Sequence, residues 1–208
     1  MDVISVLDYG AGNAGSVIRM IELAGGKAKR ATTVEHLDNA DKLVIPGVGA
    51  FDNGMGRLHE ARLVAKLDRL AIEQRVPILG ICLGMQLMCR TSEEGLLPGL
   101  GWFDAVVRRF PDARGTGLPV PHMGWNTLNV SRPCAVLPAL DEEQRFYFVH
   151  SYCVHCNDAT DMVAQCVYGR EFVAVIQKNN LFGVQFHPEK SHRFGLALIK
   201  RFVELPVA

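Results

Sequence analysis

Short runs of consecutive apolar residues alternate with amphipathic segments through the first half of the chain. Val3–Leu7, residues 43–45 and residues 76–81 are apolar on both faces, as strands buried in a parallel sheet are. Between them, residues 16–23 and 58–72 carry apolar side chains every three or four positions, which is the helical period. The pattern predicts βαβ units, and therefore a mostly parallel sheet with helices on both faces.

The second half of the chain has a different pattern. Short β-like runs are separated by turn residues, and they cover residues 106–110, 125–130, 146–153, 163–167, 172–177 and 182–186. We expect them to form antiparallel additions to one edge of the sheet or a second, smaller sheet. A closing helix is predicted to begin after Ser191, a suitable N-cap, with Phe194, Leu198 and Phe202 on one face. The fold class is α/β, and we expect residues 1–208 to form a single domain.

Composition and charge narrow the classes of function. Lys plus Arg and Asp plus Glu both number 22, so the formal net charge is zero, which argues against a dedicated binder of nucleic acid or anionic membrane. The apolar stretch 76–89 is too short to span a membrane, and no basic segment precedes an apolar one at the N-terminus. Six cysteines at irregular positions do not resemble a disulfide scaffold, so we expect a reducing, cytoplasmic location.

The first chemical signal is a cysteine between two glycines. The predicted strand ends in Gly80-Ile81-Cys82-Leu83-Gly84, and a predicted helix over residues 83–90 follows at once. This is the nucleophile-elbow pattern with cysteine in place of serine, in which small residues permit a tight strand-to-helix turn. The helix N-terminus favours a thiolate, and the amide of Leu83 would face a developing oxyanion. The alternative is a buried cysteine between packing glycines.

A second signal offers a base for that nucleophile. His187 ends a predicted strand, Pro188 turns the chain away, and Glu189 can reach back to the imidazole. Alone, this pair could equally be a surface histidine beside a surface glutamate. A Gly-rich loop at residues 46–51, which includes Gly47 and Gly49, follows another parallel strand and could complete an oxyanion hole. An ordinary connecting loop is the alternative there.

Two further patterns are weaker. Gly10, Gly12 and Gly15 match the dinucleotide fingerprint, but no acidic residue closes the next predicted strand. His150, Cys153, His155 and Cys156 suggest zinc, yet positions 153 and 156 point to opposite faces of a strand and no second C-x-x-C pair exists. We expect neither a metal nor a cofactor.

Six motifs in order resemble a known family. Residues 80–86 (GICLGMQ) and 183–189 (GVQFHPE) resemble the paired signatures of class I (triad) glutamine amidotransferases. Four other motifs resemble the branch that forms the glutaminase subunits of imidazole glycerol phosphate synthases, and they lie at residues 8–13, 46–51, 121–126 and 148–152. Met85 fits this branch, because the anthranilate and aminodeoxychorismate branches typically carry His there. The resemblance implies a flavodoxin-like sheet.

The resemblance also implies a reaction and its residues. Glutamine would be hydrolysed to glutamate and ammonia, with Cys82 as nucleophile, His187 as base and then acid, and Glu189 orienting the imidazole. The amides of Leu83 and Gly49 would hold the oxyanion, in a loop that includes Gly47. The glutamine head group would be held by Gln86, Ser151 and Tyr152.

By the same resemblance, ammonia would pass to a separate (βα)₈-barrel cyclase subunit in a heterodimer. That partner makes imidazole glycerol phosphate and aminoimidazole carboxamide ribotide in histidine biosynthesis. Because few residues follow Glu189, we expect the acceptor on another chain and little glutaminase activity without it. The residues expected to face the partner are Asn13, Met123, Trp125, Tyr147, His150 and Lys190.

Three alternatives remain open at this level. Residues 175–180 and 190–195 look closer to a paralogous branch that supplies ammonia for amidating a sugar in surface polysaccharides. A cysteine peptidase or related thiol hydrolase would keep Cys82 and His187 and act on peptides or esters without a partner. A dinucleotide-binding module would rest on the glycines of residues 10–15.

Overall fold

The computed structural model describes residues 2–110, 117–138 and 144–207. The strands are β1 (Val3–Leu7), β2 (Lys27–Ala31), β3 (Lys42–Gly47), β4 (Ile78–Cys82), β5 (Thr91–Ser92), β6 (Ala105–Arg109), β7 (His122–Asn126), β8 (Asn129–Val130), β9 (Phe146–His150), β10 (Tyr152–Cys156), β11 (Met162–Tyr168), β12 (Arg170–Lys178) and β13 (Leu181–Val184). The helices are α1 (Ala14–Leu23), α2 (Phe51–Glu60), α3 (Val64–Asp68), α4 (Leu83–Leu87) and α5 (His192–Glu204).

One large sheet forms the centre of the fold, in the order β2-β1-β3-β4-β13-β12-β10-β6-β5, with β11 and β8 attached beside β12. The first five strands of this order are parallel, and the pairs from β13 to β6 are antiparallel. The α/β prediction and the antiparallel additions in the second half are confirmed. Because β13 returns to the parallel half, its carboxyl end lies next to that of β4.

The apolar runs of the parallel strands are buried on both faces. In β3, Leu43 and Ile45 pack on the face covered by α2, α3 and α4, whereas Val44 packs on the face covered by α1 and α5. The period of two in a strand sends successive side chains to opposite faces, so an uninterrupted apolar run fills both layers. Packing on both faces therefore holds the carboxyl ends of these strands in place, among them the end of β4 that carries Cys82.

A separate two-stranded sheet pairs β7 with β9. The prediction of one strand over residues 146–153 is wrong, because the chain bends at Ser151 and passes from this small sheet (β9) into the large one (β10). The predicted strand 125–130 is likewise divided, between β7 and β8. The second half therefore contains both of the predicted features, antiparallel strands added to one edge of the large sheet and a second, smaller sheet.

The predicted helix over residues 58–72 is also interrupted. α2 begins earlier, at Phe51, and ends at Glu60, where Arg62 adopts a left-handed conformation (φ 56°) and Leu63 N–H donates to Leu58 O at 2.9 Å. This 6→1 bond is the usual helix-ending motif. A short α3 and a π-helical turn at Arg69–Glu73 then lead to β4. Within the described ranges, no helix has both the length and the apolarity needed to cross a membrane.

Candidate active site

Cys82 is the last residue of β4 and directly precedes α4, as the elbow pattern predicted. Its backbone has φ 53° and ψ −108°, a conformation that costs a non-glycine residue of the order of 1–3 kcal/mol. The neighbouring strands impose this turn, since Cys82 is paired with Gly47 of β3. This conformation turns the sulfur toward the carboxyl edge of the sheet, and Cys82 as a whole is 6% exposed.

The two flanking glycines are required by close packing. A Cβ on Gly84 would lie 1.8 Å from the carbonyl oxygen of Ile45, and a Cβ on Gly80 would lie 2.8 Å from the backbone of Gly84. Gly47 is equally confined, because its Cβ would lie 2.8 Å from both Gly84 N and the Tyr9 hydroxyl oxygen. The helix after Cys82 therefore sits directly on the neighbouring strand.

His187 and Glu189 form a buried pair beside the cysteine. His187 Nδ1 and Glu189 Oε1 are 2.8 Å apart, and a short 3₁₀ turn at Pro188–Lys190 brings the carboxylate back to the ring. Burial opposes the charged imidazole, but contact with Cys82 and the hydrogen bond with Glu189 outweigh it and raise the pKa of His187 to about 10. The Nε2 atom has no well-formed hydrogen bond within the described part of the chain, so it is available to a substrate.

The backbone of His187 is tied to the small sheet. His187 N–H donates to Tyr147 O at 2.9 Å, and the Ser191 hydroxyl donates to His187 O at 2.7 Å while accepting from Tyr147 N–H at 3.0 Å. The helix α5 does begin after Ser191, but the predicted side-chain cap is wrong, since this hydroxyl makes no capping bond. Ser191 instead holds His187 against β9.

A cavity of about 440 Å³ opens above the cysteine. The residues predicted for catalysis and substrate binding that line it are Gly49, Cys82, Leu83, Gln86, Ser151, Tyr152 and His187. Gly47 and Glu189 do not line it: Gly47 packs beneath the elbow, and Glu189 stands behind the imidazole. Gly49 has φ 103°, so the loop above the cysteine passes through a conformation that favours glycine.

Two polar residues of the site were not predicted. Glu94 lines the cavity and its Oε2 accepts from Phe51 N–H at 2.9 Å. Gln185 is fully buried, and its Nε2 donates to Cys82 Sγ at 3.6 Å. Gln185 was assigned to a predicted strand, 182–186, in which the burial of a polar side chain could not be foreseen. The sequence signal is its place in the motif at residues 183–189, two residues before His187.

The residues expected to face a partner divide into two groups. Met123 and Trp125 alternate outward from β7 and are 61% and 44% exposed. Trp125 stacks on His192 with ring centroids 5.2 Å apart, and Lys190 Nζ lies 5.7 Å from the Tyr147 ring centroid. Asn13 is also exposed, where it caps α1.

His150 differs from these residues because it is buried and lines the cavity. Its Nε2 is 3.1 Å from His122 Nδ1, and its Nδ1 is 2.8 Å from Tyr152 O. Burial lowers the pKa of His150 to about 3 and that of His122 to about 4, so both imidazoles are neutral at physiological pH. His150 is therefore placed to orient the cavity wall rather than to offer an exposed contact.

The residues of the two weaker sequence patterns have the following surroundings. Gly12 (φ 129°) lies close to the cavity loop, since its Cβ would be 3.0 Å from Pro46 O, so the glycine serves backbone packing. Cys153 Sγ is 3.6 Å from His155 Nε2, and in the parts of the chain that the structure describes no group of three or more His, Cys, Asp or Glu residues is placed to hold a metal ion.

Comparison with known proteins gives the family. The family model of class-I glutamine amidotransferases matches residues 5–205. The imidazole glycerol phosphate synthase subunit HisH 2 of Pseudomonas aeruginosa is 46% identical over 203 residues, which cover 98% of this chain and all of that protein. The imidazole glycerol phosphate synthase subunit HisH of Bdellovibrio bacteriovorus is 41% identical over 204 residues, which cover 98% of this chain and all of that protein.

Solved structures agree on the fold. PurLQS from Thermotoga maritima superposes with a TM-score of 0.71 at 20% identity, covering 97% of this chain and 95% of that chain. A glutamine amidotransferase from the same organism superposes with a TM-score of 0.62 at 16% identity, covering 98% of this chain and 81% of that chain. With the family model matching nearly the whole sequence, the chain belongs to the class-I glutamine amidotransferases.

Proposed function

We propose that this chain is the glutaminase subunit of an imidazole glycerol phosphate synthase, hydrolysing L-glutamine and delivering ammonia to a cyclase subunit in histidine biosynthesis. The observation that carries the proposal is the strained Cys82 elbow beside the His187–Glu189 pair, at the base of one cavity. The full-length relatives named as HisH subunits favour this function over the sugar-amidating branch and over a dinucleotide-binding module.

The first half of the reaction forms a thioester. A protonated imidazole beside a cysteine stabilises the thiolate, and the raised pKa of His187 keeps that proton near neutral pH. The sulfur attacks the side-chain carbonyl carbon of glutamine, whose oxygen becomes an oxyanion. The N–H of Leu83, the first residue of α4, together with Gly49 N–H, would stabilise that charge. His187 then protonates the leaving nitrogen, and ammonia departs.

The second half releases glutamate. His187, now neutral, removes a proton from a water molecule that attacks the thioester carbonyl. The C–S bond breaks, the thiolate is regenerated with the imidazolium beside it, and glutamate leaves. Glu189 keeps Nδ1 bonded throughout, so Nε2 is the nitrogen that exchanges the proton. Gln86, Ser151 and Tyr152 on the cavity wall would bind the rest of the substrate.

The partner proposed for this chain is a (βα)₈-barrel cyclase that docks beside the small sheet. Met123 and Trp125 form an exposed apolar pair there, flanked by Tyr147 and Lys190. Exposed aromatic side chains are the type that supplies much of the energy of protein interfaces. All six cysteines are free, which supports the cytoplasm as the compartment of the proposed heterodimer.

The test is glutamate release from glutamine by the purified chain, alone and with the histidine-pathway cyclase of the same organism and its ribonucleotide ligand. We expect little activity alone, strong stimulation by the cyclase, and a loss of at least about a thousandfold in Cys82→Ala. High turnover without a partner would contradict the expected latency.

A further comparison in the same experiment distinguishes the histidine pathway from the sugar-amidating branch. If a cyclase that is competent with free ammonium gives no stimulation, the histidine assignment fails and a sugar-amidating partner is the next candidate. Turnover of peptides or esters without glutaminase activity would instead indicate a thiol hydrolase.

A further inference from the structure

The buried glutamine beside the nucleophile makes two hydrogen bonds that the mechanism above does not use. Gln185 follows β13 and is fully buried. Its Nε2 donates to Cys82 Sγ at 3.6 Å, and its Oε1 accepts from Gln86 Nε2 at 3.1 Å. Its backbone N–H donates to Ala174 O at 2.9 Å, which extends the ladder between β13 and β12. Both ends of the amide are therefore held.

The direction of these bonds is determined by a neighbouring carbonyl. Gln86 Nε2 also donates to Tyr152 O at 3.1 Å, and a backbone carbonyl can only accept. Gln86 must therefore present its NH₂ group to both partners, and Gln185 must accept through Oε1. The NH₂ group of Gln185 is then the group that faces the sulfur.

The same carbonyl is held on its other side. His150 Nδ1 lies 2.8 Å from Tyr152 O, and because burial keeps this imidazole neutral, its Nδ1–H donates and its Nε2 accepts from His122 Nδ1–H at 3.1 Å. Tyr152 O thus accepts two hydrogen bonds, its full capacity. Reversing the Gln86 amide would break a bond in a buried site, where an unsatisfied polar group costs about 1–3 kcal/mol.

We propose that Gln185 is a positioning residue for the nucleophile: its amide N–H stabilises the Cys82 thiolate and holds the sulfur toward the cavity. An N–H bonded to an anionic acceptor is about twice as strong as one bonded to a neutral acceptor, so this bond strengthens when the thiol ionises. The inference rests on the proposed function only in taking Cys82 as the nucleophile.

The test compares two substitutions at this position. Gln185→Glu keeps an oxygen that accepts from Gln86, but it replaces the NH₂ group facing the sulfur with a carboxylate oxygen, so it removes the N–H donor and adds a negative charge beside the thiolate. Gln185→Met fills the space without either hydrogen bond. Gln165→Met is the matched control, since Gln165 is a half-buried glutamine of β11 outside the cavity.

The primary readout is the rate of Cys82 alkylation by iodoacetamide in the purified full chain, followed across pH. Peptide mass spectrometry separates Cys82 from the other five cysteines. At neutral pH we expect the rate in Gln185→Glu to fall at least about tenfold and its pH profile to move to higher pH. Gln185→Met, which loses the N–H donor but gains no charge, should show a smaller shift in the same direction, and Gln165→Met none.

Turnover with the cyclase gives a second readout. In Gln185→Glu we expect kcat to fall in parallel with alkylation, and KM to change by less than about twofold because the Gln86 bond is kept. An unchanged alkylation rate and pH profile in Gln185→Met, which removes the N–H donor without adding charge, would overturn the proposal, and so would an equal loss in Gln165→Met. If the parent chain releases no glutamate but the alkylation effect is present, the proposed function fails while this inference stands.

Discussion

The parallel half of the large sheet and the small β7–β9 sheet both build the cavity, but they do so with different kinds of structure. The parallel half positions Cys82 through backbone geometry: a positive φ, a fixed register with Gly47, and glycines that let α4 sit on β3. The small sheet contributes mainly side chains and hydrogen bonds, among them Tyr147 with the His187 backbone.

The difference indicates which properties each region controls. A cysteine positioned by its backbone tolerates almost no added volume around it, so changes in the parallel half should affect folding and chemistry together. The outward face of β7 carries exposed side chains that pack on one another, as Trp125 does on His192. Changes there should affect partner binding and leave the fold intact.

The largest effect on folding is expected from Gly84→Ala. The new Cβ would lie 1.8 Å from Ile45 O, which requires α4 or β3 to move, so unfolding free energy should fall by more than about 3 kcal/mol. The matched control is Gly56→Ala in α2, where a Cβ meets no atom within 4 Å and should stabilise by about 0.5–1 kcal/mol. Urea unfolding measures both, and similar stabilities would contradict the packing argument.

Glu189→Gln tests whether the Glu189 carboxylate supports His187 in its proposed role as the base. Glutaminase activity should fall at least about a hundredfold, because Nδ1 loses its carboxylate partner. The pKa of His187 should also fall, which moves the basic limb of the pH–rate profile to lower pH.

The same variant should also change how the stability of the fold depends on pH. The pKa of His187 is raised in the folded chain above its ordinary value of 6.5. The protonated imidazole therefore stabilises the fold fully below pH 6.5, and this stabilisation is lost as pH rises through about 10. The parent chain should therefore exceed Glu189→Gln in stability most at pH 6.5, with the gap closing toward pH 10. A gap that widens with pH would show that Glu189 does not raise this pKa.

Trp125→Ala should weaken cyclase binding about tenfold, since it removes the exposed ring that packs on His192 and Tyr147. The control is Ile72→Ala, an apolar residue that is 57% exposed near the amino end of β4, at the opposite edge of the sheet from Cys82. Calorimetric titration gives both dissociation constants. Equal affinities for the two variants would place the partner elsewhere on the surface.

The smallest expected effect concerns backbone strain at the nucleophile. Because Cys82 has φ 53°, Cys82→Gly should be more stable than Cys82→Ala by about 1 kcal/mol. At Cys89, a buried cysteine without a positive φ, the order should reverse. Unfolding midpoints of the four variants decide the point, and the same order at both positions would mean that the elbow stores no strain.

Local patterns were enough to predict the elbow, the His187–Glu189 pair and the parallel half. In each case a few consecutive residues determine the geometry, such as the glycines on either side of Cys82. The break at Ser151 was missed, since residues 146–153 have β-like side chains throughout and only the division between two sheets separates them. Gln185 was missed for a related reason, because its partners are distant in sequence.

The sequence by itself determined the fold class, the candidate nucleophile and the family, because strand periodicity, glycine placement and contiguous motifs are local properties of the chain. Only the tertiary structure decided what each polar side chain contacts. It turned Ser191 from a helix cap into a tether for the base, buried His150 in the cavity wall and aimed Gln185 at the sulfur. These outcomes depend on which strands become neighbours, and residues far apart in the chain establish that only when the sheet forms.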